Sequence, residues 1–266
     1  MSTAIFVIVR FCSNFRVTTS YYGTGMNKSG TALLGLASAA LSVTSAQASF
    51  SATYLGVGAT QTHQTAYSAA QAWNSVASVN YYNLAMSEHR WDRGGETQIG
   101  WCVQVFQGMQ VGTTYVFELV ALELVPQSPP APGPMGIMKA NILRDASSRW
   151  LGADSRVIGS AGSANAAAAA FNALAWEITH ENLSTTDINV GLSRLSLASG
   201  ALRANLTGEA ATIYANMLAS LGVGGWQTVG CEGWLNSSAQ DQFRVVPGPA
   251  TLALLGLSGL LGRRRR

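Results

Sequence analysis

Cys102 is the side chain in this sequence best suited to act as a nucleophile. A thiol becomes nucleophilic when a neighbouring histidine takes its proton, and His89 or His180 would have to fill that role. In an oxidising compartment, Cys102 and Cys231 would instead be expected to form a disulfide. The third outcome is a pair of buried free thiols, and the sequence leaves all three open.

No other residue pattern predicts catalysis or metal binding. His180 and Glu181 begin like a zinc-protease helix, but Ser184 stands where that motif needs its second histidine. The three histidines have no metal-ligand spacing, and the acidic residues are too scattered to nominate a glycosidase pair. We therefore expect a protein that is not an enzyme and that needs neither a metal nor a cofactor.

The distribution of charge argues against nucleic-acid binding. All 13 acidic residues but only nine of the 16 basic ones lie between residues 29 and 262, which leaves that region with a formal charge of −4. Phosphate recognition needs a basic surface, so we expect no nucleic-acid partner. Hydrophobic residues make up 48% of the 266 residues and charged ones only 11%, which favours a folded domain over disorder.

Strand patterns come first in the chain after residue 48. Residues 50–58 and 98–124 have the alternation of strands, and Gly112 interrupts the second stretch. We expect that stretch to form a β-hairpin with its bend at residues 107–113. Residues 69–76 are consistent with a short helix, and the proline-rich residues 126–134 predict an exposed, irregular loop.

Helical patterns follow at residues 135–150, 164–180 and 209–221. The second contains an alanine run of high helix propensity, and Gly222 is placed to end the third. Residues 226–246 predict one or two short strands. This order predicts an α+β domain over residues 49–244, in which a β-hairpin and sheet region is followed by a helical segment and short C-terminal strands.

One predicted strand and one predicted helix carry a pair of motifs. Trp101, Cys102 and Val103 lie in the strand, and Asn172 and Trp176 lie in the alanine-rich helix. Their order resembles that of bacterial thioester domains, which are surface adhesion domains in which a strand cysteine is linked to a glutamine of a Q-x-A-x-W-type helical motif. The resemblance implies that Cys102 and Asn172 form the corresponding pair, with Trp176 packed beside them.

Asn172 stands where those domains carry the glutamine. Asparagine is one methylene shorter, so its carbonyl reaches about 1.5 Å less far, and a bond between neighbouring groups is sensitive to an error of that size. We expect a thioester-like fold without the reactive bond. An intact Cys102–Asn172 thioester, which would make the protein a covalent adhesin, is the alternative.

Residues 26–48 have the pattern of a secretory signal peptide. Lys28 precedes an apolar run, and Ala46 and Ala48 form an A-x-A cleavage site. We expect cleavage after Ala48 and translation from Met26, with residues 1–25 as an extension of the start site. Translation from Met1 with a longer leader is the alternative.

Residues 245–266 contain three successive segments. These are Val246-Pro247-Gly248-Pro249-Ala250-Thr251, an apolar run to Gly262, and Arg263, Arg264, Arg265 and Arg266. As a helix, residues 250–262 would be about 20 Å long, short of a bilayer core unless the bilayer thins. The terminal arginines favour the cytoplasmic side.

These three segments resemble the PEP-CTERM sorting signal of bacteria that have an exosortase, although Gly248 stands where the family usually has glutamate. The resemblance implies an exosortase-type sorting enzyme as partner. It also implies transient anchoring in the inner membrane by a short transmembrane helix, before transfer to the cell surface or the extracellular matrix.

Taken together, these features predict an exported surface or extracellular-matrix protein with a non-enzymatic structural or adhesive role. Extracellular polysaccharide is an expected partner. The alternatives are the covalent adhesin described above and a cysteine hydrolase based on Cys102.

Overall fold

A long first strand organises residues 48–129 and 131–246, which are the residues that the computed structural model describes. The strands are β1 (Ser49–Tyr67), β2 (Tyr82–Arg93), β3 (Glu96–Cys102), β4 (Thr114–Ala121), β5 (Leu202–Asn205), β6 (Cys231–Leu235) and β7 (Gln242–Val245). The helices are α1 (Gly136–Trp150), α2 (Ala164–His180), α3 (Ile188–Ser193) and α4 (Gly208–Ser220), with a 3-10 turn at Leu122–Leu124. None of the helices in these ranges has the length and apolarity needed to cross a membrane.

The strands form one antiparallel sheet in the order β2-β3-β7-β6-β4-β1-β5. β1 also pairs with β2, so six strands close into a ring, and β5 pairs with the end of β1. This double pairing needs a long, bent strand: residues 49–53 pair with β4, and residues 53–65 pair with β2. The ladder shifts register at Gly56, whose φ of +103° is a value that glycine adopts most easily.

The helix α2 is the centre of the hydrophobic core. Every residue from Ala166 to His180 is buried, and the helix contacts β1, β2, β3, β5, α1 and α4. The small alanine side chains allow these elements to approach on all sides. Ser163 caps the first turn by accepting a hydrogen bond from the amide of Ala166.

The α+β class, the three long helices and the C-terminal strands are confirmed. α2 has the predicted bounds, and the ends of α1 and α4 lie within one residue of prediction. β6 and β7 both fall within residues 226–246. Residues 126–129 and 131–134 contain neither helix nor strand, as predicted.

The predicted hairpin within residues 98–124 is wrong. β3 and β4 do not pair, because β6 and β7 lie between them in the sheet. The hairpin instead joins β2 to β3 through Gly94 and Gly95, both at positive φ. β3 ends at Cys102, and the amide of the next residue, Val103, donates to the carbonyl of Asp241, directly before β7.

The predicted short helix at residues 69–76 is also wrong. This segment forms turns, in which the amide of Gln71 donates to the carbonyl of Ser68. The side chain of Arg203 binds the carbonyls of Ser75 and Ala77. Contacts with a distant part of the chain therefore fix a conformation that the local composition did not indicate.

Candidate functional site

Cys102 lies at the end of β3 and is fully buried. Its thiol donates a hydrogen bond to the carbonyl of Gln104, and the amide of Gln104 donates back to the sulfur at 3.3 Å. Burial raises the pKa of the thiol to about 12; the hydrogen bonding of Gln104 and the nearby indole of Trp176 oppose this increase, whereas Asp241 adds to it. The thiol is therefore protonated at neutral pH, and a protonated thiol is a poor nucleophile.

The carboxamide of Asn172 joins two strands. Its Nδ2 donates to the carbonyl of Cys102 at 3.2 Å, and its Oδ1 accepts from the amide of Ser87 at 3.1 Å. The β2–β3 ladder pairs Glu88 with Trp101, so Ser87 and Cys102 would form the next pair along. The structure brings Asn172 to Cys102, but the contact is with the main chain of the cysteine.

Trp176 lies one turn beyond Asn172 on α2, so both side chains project from the same face of the helix. The indole is 3% exposed, and it is close enough to the sulfur of Cys102 to affect its pKa. On the neighbouring turn, Phe171 packs against Trp101 with the ring centroids 4.7 Å apart. These aromatic contacts hold the end of β3 against α2.

Cys102 and Cys231 are both free thiols, so the possible disulfide between them is absent from the structure. β7 lies between the strands that carry them, and adjacent strands are about 4.8 Å apart. Along the ladders, Cys102 is level with Gln242 and Gln242 with Trp234, so Cys231 is offset by three further residues. The two Cα atoms are therefore at least about 10 Å apart, beyond the roughly 7 Å that a disulfide can span.

Neither candidate histidine partners the thiol of Cys102. Nδ1 of His89 lies 3.1 Å from Oε1 of Gln242, and Nδ1 of His180 donates to the carbonyl of Trp176 at 3.1 Å. Burial lowers the pKa of His89 to about 4 and that of His180 to about 3. Both rings are neutral at neutral pH, and neither makes a direct hydrogen bond to the thiol of Cys102, whose partner is Gln104, as the general base of a cysteine hydrolase would.

A second polar cluster lies at the C-terminal end of α2, and the sequence analysis did not anticipate it. Glu177 accepts a hydrogen bond from the amide of Ser196 at 2.6 Å, and Glu181 accepts from the amide of Ala201. The pKa of Glu177 is raised well above its usual range. Burial is the largest cause, and the charge of Glu181 is the second. The signal that could have revealed this cluster is two carboxylates four residues apart on an otherwise apolar helix.

Lys139 of α1 belongs to the same cluster. Its Nζ donates to the carbonyl of Thr179 at 3.0 Å, and burial lowers its pKa to about 8. The cluster therefore combines a carboxyl group of raised pKa, a second carboxyl group and an amine of lowered pKa. In the part of the chain that is described, no three His, Cys, Asp or Glu side chains converge as a metal site would require.

The predicted processing sites lie mostly outside the described residues, which include only Ala48 and Val246 of them. Ala48 directly precedes β1, and its carbonyl accepts a hydrogen bond from the amide of Leu119. The amide of Val246 donates to the carbonyl of Gly230. The folded region therefore extends through Val246, two residues past the predicted boundary at residue 244.

Comparison of the chain with protein-family models, with curated proteins and with solved structures found no match.

Proposed function

We propose that this chain is an exported surface or extracellular-matrix protein with a non-enzymatic structural or adhesive role, and that its α+β domain has a thioester-like arrangement without the bond. The observation that carries the proposal is the bridging carboxamide of Asn172. It uses both of its polar atoms on the main chain of β2 and β3 while the thiol of Cys102 is occupied with Gln104.

Formation of a thioester would need several groups to change partners. The sulfur would have to lose its proton, attack the side-chain carbonyl carbon of Asn172 and expel one ammonia. The pKa of about 12 disfavours the first step. The departing Nδ2 would leave the buried carbonyl of Cys102 without its donor, which is unfavourable in a fully buried site. The pair is therefore better suited to fixing the core than to reaction.

Export is supported by the agreement between the sequence signals and the positions of the first and last described strands. β1 begins at Ser49, directly after the predicted cleavage site at Ala48. β7 ends at Val245, directly before Val246, the first residue of the predicted sorting motif. We propose that the domain passes through the inner membrane with an exosortase-type enzyme as its processing partner, and that extracellular polysaccharide is its later environment.

Intact mass spectrometry tests the absence of the bond. We expect the purified protein to have the mass calculated for free thiol and carboxamide groups, with no change after incubation with methylamine. Cys102 should react with iodoacetamide only after denaturation, because it is fully buried. The Cys102→Ala variant is the matched control that assigns the thiol.

A native mass lower by one ammonia, together with a methylamine adduct that the Cys102→Ala variant does not form, would contradict this part of the proposal. That result would establish the covalent adhesin instead.

A further inference from the structure

The exposed aromatic side chains of the domain lie close together in the chain or around one cavity. Among the Phe, Tyr and Trp residues in the described ranges, only Tyr81, Tyr82 and Phe106 are exposed, at 39%, 57% and 56%. Tyr82 and Phe106 line the same cavity, and Tyr81 is adjacent in sequence. Exposed aromatic surface that is concentrated at one place indicates a binding site more than scattered exposure does.

The cavity has a volume of about 380 Å³ and lies between the end of β1, residues 68–80, the start of β2 and Phe106. This volume is within the usual range for small-molecule sites, about 300–1,000 Å³. Tyr67 forms its inner wall and packs against His180, with the ring centroids 4.8 Å apart, and against Phe106 at 5.4 Å. Three aromatic rings therefore border one groove.

Apart from Val79, the remaining lining of this groove is polar, and it carries no charge. Gln71 and Asn80 contribute carboxamides, and two serines contribute hydroxyl groups. Gln71 accepts a hydrogen bond from Ser75, whereas the carboxamide of Asn80 makes no side-chain hydrogen bond with the rest of the described chain. No Asp, Glu, Lys, Arg or His lines the groove, so it offers no ionic contact to an anion or a cation.

The wall formed by residues 68–80 is held in place from behind. Arg203 is 5% exposed and donates to three main-chain carbonyls, those of Ser75, Ala77 and Gly200. The guanidinium of Arg194 lies 5.0 Å from the ring centroid of Trp73 in the same segment. A groove fixed in this way needs little ordering when it binds a ligand, which favours affinity.

We infer that this groove binds the sugar rings of an uncharged polysaccharide. The apolar face of a pyranose ring can stack on Tyr82 and Phe106. The hydroxyl groups of the ring can donate hydrogen bonds to, and accept them from, the side-chain carboxamide of Asn80. The neutral lining disfavours acidic polysaccharides and phosphates. This inference rests on the proposed location of the domain outside the cell, and it names the class of molecule that the adhesive role would require.

Isothermal titration calorimetry with the full chain, purified in detergent, tests this inference. The probes are the neutral hexasaccharides cellohexaose, maltohexaose and mannohexaose, with hexagalacturonate as the charged comparison. We expect binding of at least one neutral probe, and affinity lower by at least about tenfold in the Tyr82→Ala/Phe106→Ala double variant. Val116→Ala removes an exposed apolar side chain outside the groove and should bind like the wild type.

Failure of the wild type to bind any neutral probe, equal binding by the double variant, or preference for hexagalacturonate would overturn the inference. These outcomes leave the proposed function intact if the protein is still found outside the cell. Recovery of the protein from the cytosol would overturn the proposed function whatever the calorimetry shows.

Discussion

Replacing Asn172 by alanine should lower the free energy of unfolding by about 2–4 kcal/mol. The substitution removes both hydrogen bonds that the carboxamide makes to the main chain. The amide of Ser87 and the carbonyl of Cys102 would then be buried without these partners, at the point where the β2–β3 ladder ends. Denaturant unfolding, followed by circular dichroism, measures the loss.

Two further variants make the Asn172 prediction specific. Asn216→Ala removes an exposed asparagine from α4 and should change stability by less than about 0.5 kcal/mol. Asn172→Asp keeps an acceptor for Ser87 but places a carboxylate oxygen against the carbonyl of Cys102, so its stability should recover at low pH, where the acid becomes a donor. An alanine variant within 0.5 kcal/mol of the wild type would show that the bridge contributes nothing.

Replacing Glu177 by glutamine should remove a large part of the loss of stability with rising pH. The folded-state pKa of Glu177 is raised, by burial first and by Glu181 second. Above about pH 4.3 the unfolded chain loses this proton, whereas the folded chain keeps it. Rising pH therefore favours unfolding, by up to about 1.4 kcal/mol for each pH unit, until the folded-state pKa is passed.

The stabilisation of the folded state by the proton on Glu177 is thus fully present below about pH 4.3, and it is lost as the pH rises through the folded-state pKa. The stability of Glu177→Gln relative to the wild type should increase steadily with pH above that point. Glu118→Gln, which changes an exposed glutamate on β4, is the matched control. Parallel stability curves for the wild type and Glu177→Gln between pH 4 and 8 would show that the carboxyl group is not held protonated.

Local patterns in the sequence were sufficient for the three long helices, but they did not predict α3 and they wrongly indicated a helix at residues 69–76. The alanine run predicts α2 because alanine has the highest helix propensity, and Ser163 supplies the cap at its start. The strand partners depend on contacts between distant parts of the chain. β6 and β7 insert between β3 and β4, and no pattern within residues 98–124 indicates this. The Gly94–Gly95 pair, at the turn of the true hairpin, is a local signal for a two-residue β-turn that is present in the sequence.

The two sites differ in how far the sequence could predict them. The resemblance to thioester domains paired Cys102 with Asn172, but only the structure reveals that the contact runs through the main chain. The groove combines Tyr67, Tyr82 and Phe106, which are separated by 15 and 24 residues in the sequence. Such a site forms only when β1 pairs with β2 and when Arg203 binds the segment of residues 68–80.

The location and the termini of the protein in its own cells test the central claim most directly. After fractionation, mass spectrometry of the protein should find it at the cell surface or in the medium, with Ser49 as its first residue and its last residue close to Pro247 or Pro249. Recovery of the uncut chain from the soluble cytosol, with both the apolar leader and the arginine cluster still attached, would contradict the account.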